Sequence, residues 1–461
     1  MARIAAAATA WSERFIPDAF VFALVATVVV VASAATVAPI GTVIDAWGAG
    51  VWDLLAFTLQ MALVIIGGHA LASAPQIKRL IYAIAAWPRS PRQAVALVTV
   101  FALVTSWFNW GFSLIFSAVL AREVARRVDG VDYRALGAAS FLGLGSIWAQ
   151  GLSGSAALQM ATPGALQPAI RAIVERSGTV PGGVIGFAHT IFLWQSVTAV
   201  LLEIAIVTCV MCMAIPSRGS ARTAASLGIN LEPAARAERE SIAITPGTWL
   251  EHSSLLMWVV AALGVSYLWR YFAAAPNPLN AITLNTLNLT MLIAACALHR
   301  TPARLVDAVK AATPAAWGII LQFPFYAGIA GVITGTHLNE RLAHVFVAIS
   351  SHATLPAIIA LYSAVLGVFV PSGGSKWVIE APYVMAAAHT QHVHLGWIVS
   401  SYDLGEAVAN LVQPFWMLPT LGLLGLRARD VMGYTFIVFV ILLPTILTLV
   451  TVFGLTLPYP L

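Results

Sequence analysis

Charge is what this sequence has least of. Of its 461 residues only 9% are Asp, Glu, Lys or Arg, while 60% are hydrophobic. A soluble domain carries roughly 25% charged residues, so a water-facing globule is excluded and an all-α polytopic membrane protein is expected. Cysteine is scarce too. Cys209, Cys212 and Cys296 all lie in apolar segments. The Cys209-x-x-Cys212 spacing resembles half a metal or redox site, but no second pair or nearby His completes it. The three thiols read as packing groups, and neither a metal nor another cofactor is expected. The net charge of +5 does not imply nucleic acid, because the basic residues fall in short clusters between apolar runs. That is the positive-inside pattern of a multi-pass protein, and the lipid bilayer is the expected partner.

Long apolar runs are what the sequence does have. A crossing needs about 20 residues, and 17–37, 51–75, 135–162, 182–213, 252–273, 281–298, 314–336, 395–426 and 432–456 each suffice. A basic start and Ala32-Ser-Ala34 imitate a cleavable signal. Asp18 and the long run from Phe20 to Ala35 favour an uncleaved first helix instead. Two further runs do not fit single crossings. Residues 93–121 carry no charge, yet Lys78, Arg79, Arg89 and Arg92 precede them and Arg122, Arg126, Arg127 and Arg134 follow. Two full crossings need roughly 40 residues, so a re-entrant hairpin from the cytoplasm is expected, with about 14 residues per arm. Residues 354–388 have His352, His389, His392 and His394 at their flanks but no Lys or Arg. They read as a second hairpin, entering from the outer face. Nine spans and two opposed hairpins place nineteen of the 24 Lys/Arg inside, with Arg171, Arg176, Arg270 and Arg341 outside and Lys376 in the membrane.

Landmarks recur at a near-constant offset. Gln60 and Gln322 lie 262 positions apart, as do Asn109 and Pro371 at the two hairpin tips, and Gln150 and Gln413 are separated by 263. Each half reads as span, hairpin, broken span, span. The first repeat is 17–213, with hairpin 93–121 and broken helix 135–162. The second is 252–456, with hairpin 354–388 and broken helix 395–426. The cytoplasmic linker is 214–251. Opposite entry of the hairpins makes the repeats inverted, the sequence pointer to a secondary transporter with its site at the midplane. Irregular backbone survives at that depth only where protein buries it or a watery cavity meets it.

Half-helix N-termini suit an anion and freed carbonyls suit a cation. Asn109, Gln150, Ser153, Ser155, Thr162, Ser372, Ser375, Asn410 and Gln413 supply hydroxyls and amides at the tips and breaks. No arginine lies in either tip, which excludes a site built for multiply charged phosphate and favours a small monocarboxylate. Trp107, Phe108, Trp110, Trp377 and Phe415 offer a wall for a short alkyl tail or ordinary bundle packing. Ionisable residues within spans are functional candidates by default. Lys376 and Glu380 stand one helical turn apart and can neutralise each other, or Lys376 can meet the substrate. Glu406, one turn before Asn410, is the candidate for proton or cation coupling. Asp403 is placed nearer the outer surface. Glu203 and His69 read as buried structural groups.

Together, "GHALASAPQIKRL", "FNWGFSLIFSAVLAREVARRV", "GLSGSAALQMATPG", "LQFPFYAGI", "VPSGGSKWVIEAP" and "NLVQPFWMLPTLGLLGLRARDVMGY" resemble the bacterial short-chain fatty acid transporter family, of the acetoacetate and butyrate permease type, within the ion-transporter superfamily. The resemblance covers nearly the whole chain. It implies an inner-membrane, multi-pass homodimer with a scaffold and an elevator-like transport domain, importing short-chain monocarboxylates by symport with H+ or Na+. It also implies a site of Asn109 and Gly111, of Ser153, Gly154 and Ser155, of Ser372, Gly373, Gly374 and Ser375, and of Asn410 and Gln413. The residues themselves add Gln150 and Lys376 as candidates for binding and Glu406 and Glu380 as candidates for coupling. Where the family's second tip usually runs GGGHWVIQ, this chain has "GGSKWVIE", a charged pair in place of a neutral one. Two other classes remain at this point. One is an anion channel for small carboxylates. The other is an intramembrane serine protease, suggested by Gly151-Leu-Ser153-Gly154 with His189 as base.

Overall fold

The computed structural model of the chain describes residues 19–461 apart from 54, 162–167, 179, 218, 232–244, 276, 277, 279–283, 339, 340, 342–344, 346, 347 and 370–372. Among the described residues every regular element is a helix. Pro91–Phe108, Tyr133–Ala161, Trp194–Ala214, Ser254–Ala274 and Ala428–Gly454 are each long and apolar enough to cross a membrane. Two bent pairs extend that set: Thr58–Ser73 with Pro75–Ala85, turning by 76°, and Pro302–Ala312 with Trp317–Ile333, turning by 57°. Proline sits at the first helical position of both short members. There its missing N–H is harmless, whereas continuing the preceding helix through it would clash. The helix Ser254–Ala274 buries only Met257 and Ala261, and turns Trp258, Leu263 and Trp269 outward. An apolar helix with its large side chains outside has lipid as its solvent. At the other extreme, all fifteen residues of Leu395–Ala409 are buried. That helix forms the hub.

Each of the two odd runs forms a pair of helices. The first runs from Pro91–Phe108 into Trp110–Arg127. Ser90 caps it by accepting the Gln93 N–H at 3.3 Å, and the Gln93 side chain accepts the N–H of Arg89, just before the cap, at 2.8 Å. At the tip Asn109 is extended (φ −160°), and its side chain accepts the Phe112 N–H at 2.8 Å, which starts the returning arm. The arms are eighteen residues each, four longer than anticipated, because the turns holding Arg92 and Arg122 to Arg127 continue the helices beyond the uncharged stretch. The second hairpin is Leu355–Phe369 and Gly373–Thr390.

Other boundaries shift. The run 182–213 is helical only over Trp194–Ala214, and Pro181–Gly183 and Phe187–His189 form separate short 3-10 turns. Gly182 and Gly183 adopt positive φ there, a conformation that ends regular helix. The short helices Ile40–Gly50, Pro75–Ala85 and Pro302–Ala312 fall between or just beyond the expected spans, in stretches where no element is expected from the sequence.

Buried side chains form two main clusters. One gathers the first hairpin with Tyr133 to Ala149 and Leu404 to Leu411. The other gathers the second hairpin's returning arm with Ala156 to Ala161 and Leu395 to Tyr402. Each broken helix therefore begins in one core and ends in the other. The first break lies at the seam, whereas the second lies within the first cluster, between Leu411 and Phe415.

Candidate functional site

The first broken helix starts as Tyr133–Leu142, where Asp132 caps by accepting from Arg134 and Ala135 N–H at 3.0 and 3.2 Å. It widens into a π-turn at Gly143–Ile147, tightens at Trp148–Gln150, opens over 151–154 and resumes as Ser155–Ala161. Glycines at 143, 145, 151 and 154 make regular helix expensive here. At Gly154 a Cβ would collide with the Ala149 carbonyl, so only glycine permits the chain to fold back on itself. The second broken helix stops at Ala409 and restarts through Phe415–Met417 into Leu418–Leu424. Side chains replace the lost backbone bonds. Gln413 Nε2 donates to Asn410 Oδ1 at 2.7 Å, Phe415 N–H donates to Gln413 Oε1 at 2.8 Å, and Asn410 Nδ2 donates to the Leu144 carbonyl at 3.2 Å. Asn410 and Gln413 thus brace the two breaks against each other.

The first tip is sewn to the first break. Trp110 N–H donates to Ser153 Oγ at 3.1 Å, and Leu152 N–H donates to the Trp107 carbonyl at 2.8 Å. Gly111 faces Val64, whose side chain would overlap any Cβ there, so its smallness serves packing. In front of this tip lies a largely apolar cleft of about 370 Å³, with Thr105, Phe108, Asn109, Phe112 and Met291 in its walls. Of the proposed aromatic wall, Trp110 packs edge-on against Trp148 and Trp416, Phe415 stacks on Phe323, and Trp377 lies against Tyr402.

The second tip meets the resumed half of the first broken helix. Gln159 Nε2 donates to the Gly374 carbonyl at 2.9 Å, and Tyr402 Oη donates to the Gly373 carbonyl at 2.7 Å. A Cβ on Gly374 would lie 3.6 Å from Ser155 Cβ and 3.7 Å from its Oγ. Ser372 and Thr162 lie outside the described residues, and Ser375 is described through its backbone only. Tyr402, Trp148 and Gln159 belong to this place but were not singled out from sequence. Tyr402 was detectable in principle, one helical turn before Glu406.

Beside the tip is a buried cluster of charge. Lys376, Glu380 and Glu406 are at most 1% exposed. Lys376 forms its close ion pair with Glu406, 30 positions away, and stands 3.9 Å from Glu380 Oε1. Its ammonium also donates to the Ser363 carbonyl and Oγ at 2.7 and 2.9 Å and lies 5.1 Å from the centre of the Tyr402 ring. In the first hairpin Ser113 Oγ donates across the arms to the Ala102 carbonyl at 2.7 Å. Lys376 makes the corresponding stitch in the second. Asp403 is buried and accepts the Ala157 N–H at 3.3 Å. Burial follows from its place on the hub helix, and its short side chain binds the first helical turn after the break.

The model of the short chain fatty acid transporter family matches residues 1–456. The chain belongs to this family. A relative in Escherichia coli (strain K12) is 36% identical over 94% of this chain and 95% of its own length. Another, in Haemophilus influenzae (strain ATCC 51907 / DSM 11121 / KW20 / Rd), is 34% identical over 94% and 96%. Both bear the short-chain fatty acid transporter name. The fold is shared with the crystal structure of the Alcanivorax borkumensis YdaH transporter, with a TM-score of 0.50 at 13% identity, over 96% of this chain and 99% of that one. A transporter family carries no hydrolytic chemistry, which removes the serine protease alternative. Ser153 Oγ accepts the Trp110 N–H and so ties the first tip to the break.

Proposed function

We propose that the protein imports short-chain monocarboxylates such as butyrate or acetoacetate by cation symport, through elevator-like alternating access. The observation that carries this is the convergence of the second tip, the first break and a fully buried ion cluster at one place. Membership in the family supports the substrate class. Because Lys376 already pairs with Glu406, we assign the carboxylate to the N–H groups that open the helix Gly373–Thr390, where the dipole favours an anion. The indole N–H of Trp148, buried beside Gly373 with no hydrogen-bond partner among the described residues, is the natural side-chain donor. Glu406 and Glu380, which share the Lys376 ammonium, are the acids of the cluster and its candidates for coupling. Labelled butyrate should accumulate in proteoliposomes above the level of protein-free vesicles when a cation gradient is imposed. Equilibration without accumulation would indicate a channel instead.

Inverted repeats, with an inner-membrane homodimer, belong to the same proposal. Recurrence of element bounds supports the repeats. Ile40–Gly50 and Pro302–Ala312 are displaced by 262 positions at both ends, as are Leu55–Ser73 and Trp317–Gly335. Trp110–Arg127 and Gly373–Thr390 are displaced by 263, as are Ser155–Ala161 and Leu418–Leu424. Opposed entry of the hairpins has a direct test in a background lacking Cys209, Cys212 and Cys296. Single cysteines at Ser90 and Asp129 are expected to react only from the cytoplasmic face, and those at Ser351 and Thr390 only from outside. Labelling of either pair from opposite faces would remove the re-entrant arrangement.

A further inference from the structure

Behind the first break stands an acid that the transport scheme above does not use. Glu203 lies midway along Trp194–Ala214 and is 0% exposed, while its neighbours Leu201 and Leu202 face outward. Glu203 Oε1 accepts from Gln150 Nε2 at 2.7 Å. Glu203 Oε2 and Gln150 Oε1 are both buried with no hydrogen-bond partner among the described residues.

Among the described residues no cation stands against this carboxyl. The elements packed on Trp194–Ala214 are Pro91–Phe108, Tyr133–Ile147 and Ala428–Gly454. Their titratable groups gather elsewhere: Arg92 acts on Cys212, two and a half turns further along, and Arg134, Asp132, Asp430 and Tyr434 interact with one another. Tyr133 donates to the Leu424 carbonyl, and Arg429 opens the helix Ala428–Gly454 beside Asp430. An ionised Glu203 would be an isolated charge in low dielectric, with two acceptor oxygens lacking donors. One proton on Oε2 removes the charge and supplies an O–H donor to a pair that lacks one. Acid and amide then complement each other. The Lys376 cluster differs, since an ammonium stands among its acids.

We propose that Glu203 is a proton-binding site. It holds a proton on Oε2 in this conformation and releases it to water when the first break, to which Gln150 ties it, is exposed on the other side. The coupling ion is then H+. This rests on the symport reading.

The test uses the full-length protein in proteoliposomes, wild type and Glu203→Gln. Gln keeps the shape and the acceptor for Gln150 but cannot titrate. Counterflow of labelled butyrate at equal pH is compared with uptake driven by an inside-alkaline pH gradient. Both are read above protein-free vesicles, which account for permeation of the free acid. One coupled proton makes one pH unit worth about tenfold in accumulation. The ratio of gradient-driven uptake to counterflow should rise accordingly in wild type and should not respond to the gradient in Glu203→Gln. An equal response in the two proteins, or a wild type driven by a sodium gradient alone, makes Glu203 a neutral strut and overturns the proposal. Absence of counterflow in wild type defeats the transport reading as well. Should Glu203→Gln fail to fold, Glu203→Asp serves, since it retains a titratable oxygen. A displaced pH profile for gradient-driven uptake supports the site, and an unmoved one overturns it.

Discussion

Lys376→Gln is expected to cause the largest loss of any single polar substitution in this protein. It leaves Glu380 and Glu406, each at most 1% exposed, close together without the ammonium that both approach. Breaking a buried pair by removing one partner typically destabilises by about 3–5 kcal/mol, because the remaining charge stays buried and uncompensated. Glu406→Gln should be nearly as harmful, since it removes the closer partner. Glu380→Gln should be milder, since Glu380 stands at 3.9 Å. The double variant Lys376→Gln with Glu406→Gln should recover much of the lost stability, because the remaining Glu380 can take up a proton. Thermal unfolding in detergent measures stability, and uptake measures function. A fully stable Lys376→Gln protein would contradict the ion cluster. Recovered stability with substrate affinity still as poor as in Lys376→Gln alone would move Lys376 into direct contact with the carboxylate.

The identity of the partner shows where sequence reasoning stops. Spacing reveals neighbours one turn apart, so it finds Lys376 and Glu380 on one helix. It is blind to Glu406, 30 positions away on the hub helix, and to the bond between Gln150 and Glu203 across 53 positions. Both depend on how the broken helices cross. The hairpins and breaks themselves were legible, because Pro, Gly and charge in apolar runs have few explanations at membrane depth. Short elements were not: helices of eleven residues such as Ile40–Gly50 are too short to count as crossings and fell in the gaps between spans. The roles of tip residues divided in the same way. Asn109 and Ser153 were recognised as polar groups near the site, but only the fold shows them capping and sewing the first tip.

Gly373→Val is expected to bring uptake down to the level of protein-free vesicles. A Cβ at this position would stand 2.8 Å from Trp148 Cη2 and 3.2 Å from Glu406 Cγ, closer than ordinary contact on two sides. Both neighbours matter to the proposed site, one as a donor and the other as partner of Lys376. Overpacking of this kind costs about 1–3 kcal/mol, so the protein should still insert and purify while the tip is pushed off the first break. Gly374→Ala separates steric from binding effects. Its nearest neighbours, Gln159 Nε2 at 3.4 Å and Ser155 at 3.6 Å, leave ordinary contact distances, so the fold should accept the methyl group with little change in melting temperature. If a carboxylate docks on the N–H groups at this helix start, the added methyl stands in its approach and affinity should fall. Wild-type affinity in Gly374→Ala, together with retained uptake in Gly373→Val, would place the carboxylate away from the second tip and leave the cleft before Asn109 as the better site.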